Sequence, residues 1–256
     1  MSTSSPPTGD RSTSDEQQGA GSGATARFLL AVGQEVGAGR VTPAALARAA
    51  VRVLPVDAAG LSMMVNVLRL PLGASSDEAA QAEELQSTLG EGPCLDAAEA
   101  QAELVADRAD LEVRWPLYAE ELVGTTPYRA VAAIPLRAPG GGIFAALDLY
   151  SVGDRLRERL DLAEVDQVRD PVAALLSGCV QEVGEDGESQ PAWYREAAGR
   201  RHEVWVAIGM VVATRGGRRR DALSLLRAYA YSRSRSLDDL AADIVDGRLS
   251  LTELTD

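Results

Sequence analysis

From Arg27 onward the chain switches repeatedly between helical and strand-like apolar spacing. "RFLLAVGQEV" sets Phe28, Leu29, Val32 and Val36 at helical intervals, and "TPAALARAAVRVL" sets Leu46, Ala49, Ala50 and Val53 on one stripe. Thr42 stands at the N-cap of that second helix, with Pro43 at its first position, where the missing N–H costs nothing. "DAAGLSMMVNVLRL" reads as a strand and "LPLGASS" as its hairpin partner. "DEAAQAEELQSTLG" is helical, with Asp77 and Glu78 at its positive end and Gly90 just past its last turn. A short strand in "ELVADRAD" and a short helix in "RWPLYAEELV" follow, then a hairpin, "YRAVAAIPLRAPGGGIFAALDLYS", whose two apolar runs meet at "APGGG". A long helix runs from Leu160 toward Val183, with Leu162, Val165, Val168 or Arg169, Val172 and Leu176 on one side; Pro171 is expected to bend it or end its first half.

The polar stretch "GEDGESQPA" predicts a linker at residues 184–192. Three helical patterns come after it. Trp193–Thr214 carries Tyr194, Ala198, Arg201, Trp205, Ile208 and Val212, and about Arg218–Ser232 carries Ala222, Leu225, Leu226 and Tyr229. "SLDDLAADIVDG" opens with Ser236 and Asp239 in a capping-box-like start and stops at Gly247. The pattern predicts a leader over residues 1–23 that is disordered by composition, an α+β domain over 24–183 with an antiparallel sheet and flanking helices, and an all-α three-helix domain over 193–256.

Charge changes the picture. The formal net charge is −13, yet Arg200–Arg235 holds nine arginines and two acids, a local excess of +7. The chain has no lysine. An arginine-rich segment attached to an acidic body looks for an anion or is repelled by its own body. No run of about 18 apolar residues is present, so no transmembrane helix is expected. The N-terminus has no apolar signal-peptide core, which points to the cytoplasm and to free thiols at Cys94 and Cys179.

Candidate chemistry is sparse. The single histidine, His202, cannot build a multi-histidine metal site; there is no CxxC, no phosphate-loop motif and no G-x-S-x-G. The expectation is a binding protein without enzymatic activity, metal or cofactor. Cys94 is the one candidate sensor residue: it follows "GEGP" at the start of a short helix, where a thiol pKa falls. Glu91, Asp96 and Glu99 oppose that effect, so the expectation is an unreactive thiol that packs or lines a pocket.

"LGEGPCLDA", "RWP" and the "AIPL…FAALDLYS" hairpin give residues 27–183 a resemblance to the GAF sensory domains of actinobacterial regulators. The tail resembles an ANTAR domain, the three-helix RNA-binding unit of transcription antitermination regulators. That likeness rests on Arg201, Val204, Ala207, Ile208, Gly209 and Met210, on Asp221–Arg227, and on Ser236–Val245. Trp205 and Val206 stand where such domains usually place an acidic residue and Gln, Arg218 where Ser or Thr would cap, and Ser236 and Asp238 where basic residues are common.

The resemblance implies a signal-responsive regulator: a GAF sensor that takes a small-molecule ligand, and a tail that binds a structured element of nascent RNA and prevents termination. The implied RNA contacts are Arg215, Arg218, Arg219, Arg220, Arg227, Arg233 and Arg235, with Tyr231 able to stack on a base if exposed and Tyr229 in the core. A homodimer is expected through the helix from Leu160 and the first tail helix, where Trp205 lies. The alternative is a small-ligand or redox-sensing module whose C-terminal helices serve dimerisation only.

Overall fold

The computed structural model describes residues 13–65, 68–138, 140–181 and 191–255. Ten α-helices and five strands lie among them. The helices are α1 (Thr13–Val36), α2 (Pro43–Val53), α3 (Asp77–Leu89), α4 (Pro93–Ala100), α5 (Arg108–Arg114), α6 (Pro116–Thr125), α7 (Leu162–Gln181), α8 (Ala192–Arg215), α9 (Arg219–Ser232) and α10 (Leu237–Val245). The strands are β1 (Ala58–Val65), β2 (Leu68–Ala74), β3 (Leu104–Ala106), β4 (Ala130–Arg137) and β5 (Ile143–Ser151), in the order β2-β1-β5-β4-β3 with every pairing antiparallel. No helix among the described residues is long and apolar enough to cross a membrane.

The period-two pattern of the strands sorts their side chains onto two faces. Leu61, Leu147, Leu149, Ala132, Ile134 and Leu136 point to one face and form the main core with α1, α2 and α7. Ala58, Val131 and Tyr150 point to the other, under α3, α5 and α6. Because β1 and β5 are central and covered on both faces, their sequences read as continuous apolar runs, and any polar residue within them is forced into the interior.

Local signals act largely as the sequence implies. The Thr42 hydroxyl accepts from Ala45 N–H at the start of α2, and Ser236 does the same for Asp239 in α10. Gly90 ends α3 in the left-handed region at φ 72°. Four differences are instructive. The first strand is described to Val65, which pairs with Leu68, so Arg69 lies inside β2 and not at the end of the first strand. Second, residues 13–23 are helical and continue α1, which Ala24 and Phe28 anchor to the core; residues 1–12 of the expected leader lie outside the described residues, as does most of the expected linker.

The third difference is that Pro171 does not end α7, which runs unbroken across it. Proline removes the N–H that would have served the Gln167 carbonyl, and Thr25 Oγ1 of α1 donates to that carbonyl instead, at 2.8 Å. The fourth is the buried stripe of α8, which is Ala197, Arg201, Val204, Ala207, Ile208 and Val211, offset from the expected one; Trp205 and Val212 are only partly covered.

The C-terminal helices pack against the α+β body. Trp193 and Ala197, at the start of α8, join the main core, so the body's packing extends past the expected boundary. Val204, Ala207, Ile208 and Val211 form a second core with α9 and α10, and Leu68 of β2 is buried in it. The stripe of α7 expected to meet a second copy is covered by this chain's own sheet and helices, except Leu162, which is exposed.

Candidate sensory site

On the face of the sheet under α3, α4 and α6 lies a polar cluster closed off from solvent. Its centre is Arg69 of β2, 1 % exposed. Arg69 Nη2 donates to Glu83 Oε2 of α3 at 2.6 Å and to Asp148 Oδ2 of β5 at 2.5 Å; Nη1 donates to the Glu83 carbonyl at 2.7 Å. Its Nε donates to Cys94 Sγ of α4 at 3.1 Å. Tyr150 OH donates to Glu83 Oε1 at 2.6 Å, and Gln86 Nε2 to Asp148 Oδ2 at 2.8 Å. One cation thus faces two carboxylates in a place where burying either sign alone costs several kcal/mol.

Two glycines make room for this assembly. A Cβ on Gly60 would clash with Glu83 Oε1. A Cβ on Gly92, whose φ is 137°, would stand 2.6 Å from Gln86 Oε1, the atom that accepts the Cys94 N–H at 2.9 Å. The "GEGPC" motif is explained by this geometry: Gly92 lets Gln86 cap the start of α4, and Glu91 Oε1 accepts the Tyr118 N–H at 3.2 Å. Tyr118 OH and Asp148 Oδ1 are buried with no hydrogen-bond partner among the described residues.

A family model described as "GAF domain" matches residues 43–175, more than half of the chain. The chain belongs to the GAF family. Among solved structures, the GAF domain of a phosphoenolpyruvate-protein phosphotransferase from Coxiella burnetii is similar at 16 % identity and a TM-score of 0.46, over 62 % of this chain and 95 % of that one. The search of curated proteins gave no match.

Burial dominates the electrostatics inside the GAF domain. It pushes the Glu83 carboxyl up to about 8, against the pull of Arg69, and it raises Asp148 as well. At neutral pH the pair therefore keeps a proton, and Arg69 balances the one remaining negative charge. Burial also drives the Tyr118 and Tyr150 phenols well above their ordinary range. Cys94 is fully buried, and burial pushes its thiol up although Arg69 pulls it down. Along the sequence only acids lie near Cys94; the fold supplies a guanidinium, and the thiol stays protonated regardless.

Of the residues singled out from the sequence, only Cys94 belongs to this cluster. Arg69, Glu83, Gln86 and Tyr118 lie outside the motifs that carry the resemblance, and Asp148 and Tyr150 lie within the "FAALDLYS" strand without standing out there as site residues. The usable signal is a lone Arg in "NVLRLPL" and a lone Asp in "FAALDLYS", single opposite charges in two apolar runs.

The seven tail arginines do not share one surface state. Arg218, Arg219 and Arg220 are exposed around the first turn of α9, without an ion-pair partner among the described residues. Arg215 is exposed and donates to the Leu251 carbonyl at 2.7 Å, and the guanidinium of Arg233 lies 5.1 Å from the Tyr229 ring centroid. Arg235 pairs with Asp243 at 2.6 Å. Arg227 faces the GAF domain, where its Nε donates to the Ser87 carbonyl at 3.2 Å. Arg201, expected on an apolar stripe, is buried against Asp238 at 2.9 Å. Tyr231 is half-buried and lines a cleft of about 270 Å³ with Gln81, Leu85, Glu121 and Arg235, so it does not lie open for a base.

Proposed function

We propose that this chain is a signal-responsive regulator in which the GAF domain senses and the C-terminal helices, an ANTAR-like unit, bind a structured element of nascent RNA and so prevent transcription termination. The observation that carries this reading is the triplet Arg218–Arg220. Three guanidiniums without ion-pair partners among the described residues gather where the free N–H groups and dipole of α9 also favour an anion, on a chain that is acidic elsewhere. Arg215 closes α8 just before the triplet, and Arg233 stands at the far, C-terminal end of α9. GAF domains typically serve as small-molecule sensing modules, and the orphaned Tyr118 and Asp148 oxygens give this one buried polar capacity that its own side chains do not use. The role is binding, not catalysis.

The test is RNA binding by the full chain. Changing Arg219 and Arg220 together to Ala should weaken binding and flatten the log–log dependence on salt by about one to two units, as expected for two lost phosphate contacts. Unchanged affinity and slope would remove the reading.

A further inference from the structure

The sensor and the tail meet at the C-terminal end of α3. The last turn of a helix leaves carbonyls without intrahelical partners and carries the negative end of the helix dipole. Arg227 of α9 occupies that end: its Nε donates to the Ser87 carbonyl, and a Cβ on Gly90 would meet its Nη1 in a clash. One residue further along, Thr88 Oγ1 accepts the Leu237 N–H at 3.1 Å, satisfying a first-turn donor of α10. Leu68 is 3 % exposed inside the tail's core. The contact therefore joins a seated cation, a satisfied backbone donor and a buried apolar anchor.

We propose that this docking is an autoinhibitory latch, in which the sensor withholds Arg227 from RNA by seating it on the C-terminal end of α3. The proposal rests on the RNA-binding reading of the tail. Among the described residues, Arg227 is the one arginine of the seven whose guanidinium is bonded to the sensor. Its partner there is a neutral carbonyl, a weaker acceptor than the phosphate it would otherwise meet.

The latch is also mechanically tied to the buried cluster. Glu83 and Gln86 lie within the turn before Ser87 on the same helix, and Ser87 Oγ donates to the Arg69 carbonyl at 3.4 Å. A signal that rearranges the cluster moves α3, and with it the seat of Arg227. While the latched form dominates, apparent RNA affinity is reduced by the fraction of chains that are open.

Gly90→Asn is the direct test in the full chain, because Asn tolerates the left-handed cap while its side chain takes Arg227's seat. Thr88→Val, which removes the acceptor for Leu237, is the second variant. The probe is a labelled pool of RNA stem-loops with randomised loops, with hydrogen exchange of α9 and α10 as the readout of docking. The expected result is faster exchange, roughly tenfold tighter binding and a salt slope steeper by about 0.7–0.9, with the gain cancelled by adding Arg227→Ala. Faster exchange with unchanged affinity, in a chain whose wild type binds the pool, overturns the latch and leaves RNA binding standing. Unchanged exchange in both variants overturns it too, since docking would then not depend on these contacts. Absence of binding by wild type and variants alike removes the RNA reading and the latch with it.

Discussion

Arg69 Nη2 sits 2.5 Å from Asp148 Oδ2 and reaches it across β1, the strand that lies between their own two strands. The pair spans the sheet instead of linking neighbours, which is possible because Gly60, opposite Asp148 on β1, has no side chain to block the path of Glu83 toward them. Removing the cation leaves the one remaining negative charge of the buried carboxyl pair uncompensated. Arg69→Met is expected to destabilise the fold by about 3–5 kcal/mol, the usual cost of breaking a buried pair from one side. Urea unfolding followed by circular dichroism measures it, and a loss below about 1 kcal/mol would show that the carboxylates do not need Arg69.

The raised carboxyl of Glu83 gives a pH dependence of fixed sign. Its value is about 8 in the folded chain against an ordinary 4.5, so the native state binds the proton more tightly than the unfolded state. Its contribution is complete below about 4.5 and is lost as pH rises through about 8. Glu83→Gln keeps the neutral form at every pH. Between about pH 5 and 8 the wild type should therefore lose stability relative to this variant, and parallel stability curves would refute the assignment.

Thr25 carries the hydrogen bond that Pro171 takes away from Gln167. Thr25→Val keeps shape and orphans the Gln167 carbonyl, with an expected cost of about 1–3 kcal/mol. In the Pro171→Ala background, where the substituted alanine supplies the missing backbone N–H, the same change at position 25 should cost clearly less. Equal costs in the two backgrounds, read from a double-mutant cycle, would disprove the compensation.

Cys94 should behave as an inert core thiol. Burial holds it protonated, and its side chain is enclosed on all sides. Alkylation of the native chain is expected to be slow and limited by opening of the fold, with no titration midpoint below the free value of about 8.5. A midpoint below about 7 would restore Cys94 as a redox sensor.

How much of this is legible in the sequence depends on whether the deciding information is local. The caps at Thr42, Ser236 and Gly90, the β4–β5 hairpin and the α+β order follow from spacing and turn chemistry, because each is set by residues a few positions apart. The resemblance to GAF domains rests on short motifs whose structural reason, such as Gly92 admitting Gln86, is also nearly local, and the family match over residues 43–175 agrees with it. The cluster is not legible, since its members come from β2, α3, α4, α6 and β5. The run "NVLRL" also hides the break between the first two strands, so spacing alone puts Arg69 at the end of the first strand, whereas it lies within β2 and is buried. The role of Pro171 needs the contact from Thr25, 142 positions distant from Gln167. The tail arginines stand out as a group from charge, but which of them faces the sensor depends on docking that no spacing encodes.

The outermost position of β2 has a consequence for any attempt to study the sensor alone. An edge strand offers a row of unpaired backbone groups to whatever strand comes near. Here α8 lies along β2, and Leu68 is roofed by the tail. At the opposite margin, β3 is only three residues long and offers little to pair with. Pro71 interrupts β2 at a single place, leaving most of the strand competent. A fragment cut before α8 would bare this strand together with its apolar anchor, and its natural replacement cover is the same strand of another copy. The C-terminal helices thus cover this side of β2, and an isolated sensor that assembles edge to edge would be reporting the cut, not its native oligomeric state.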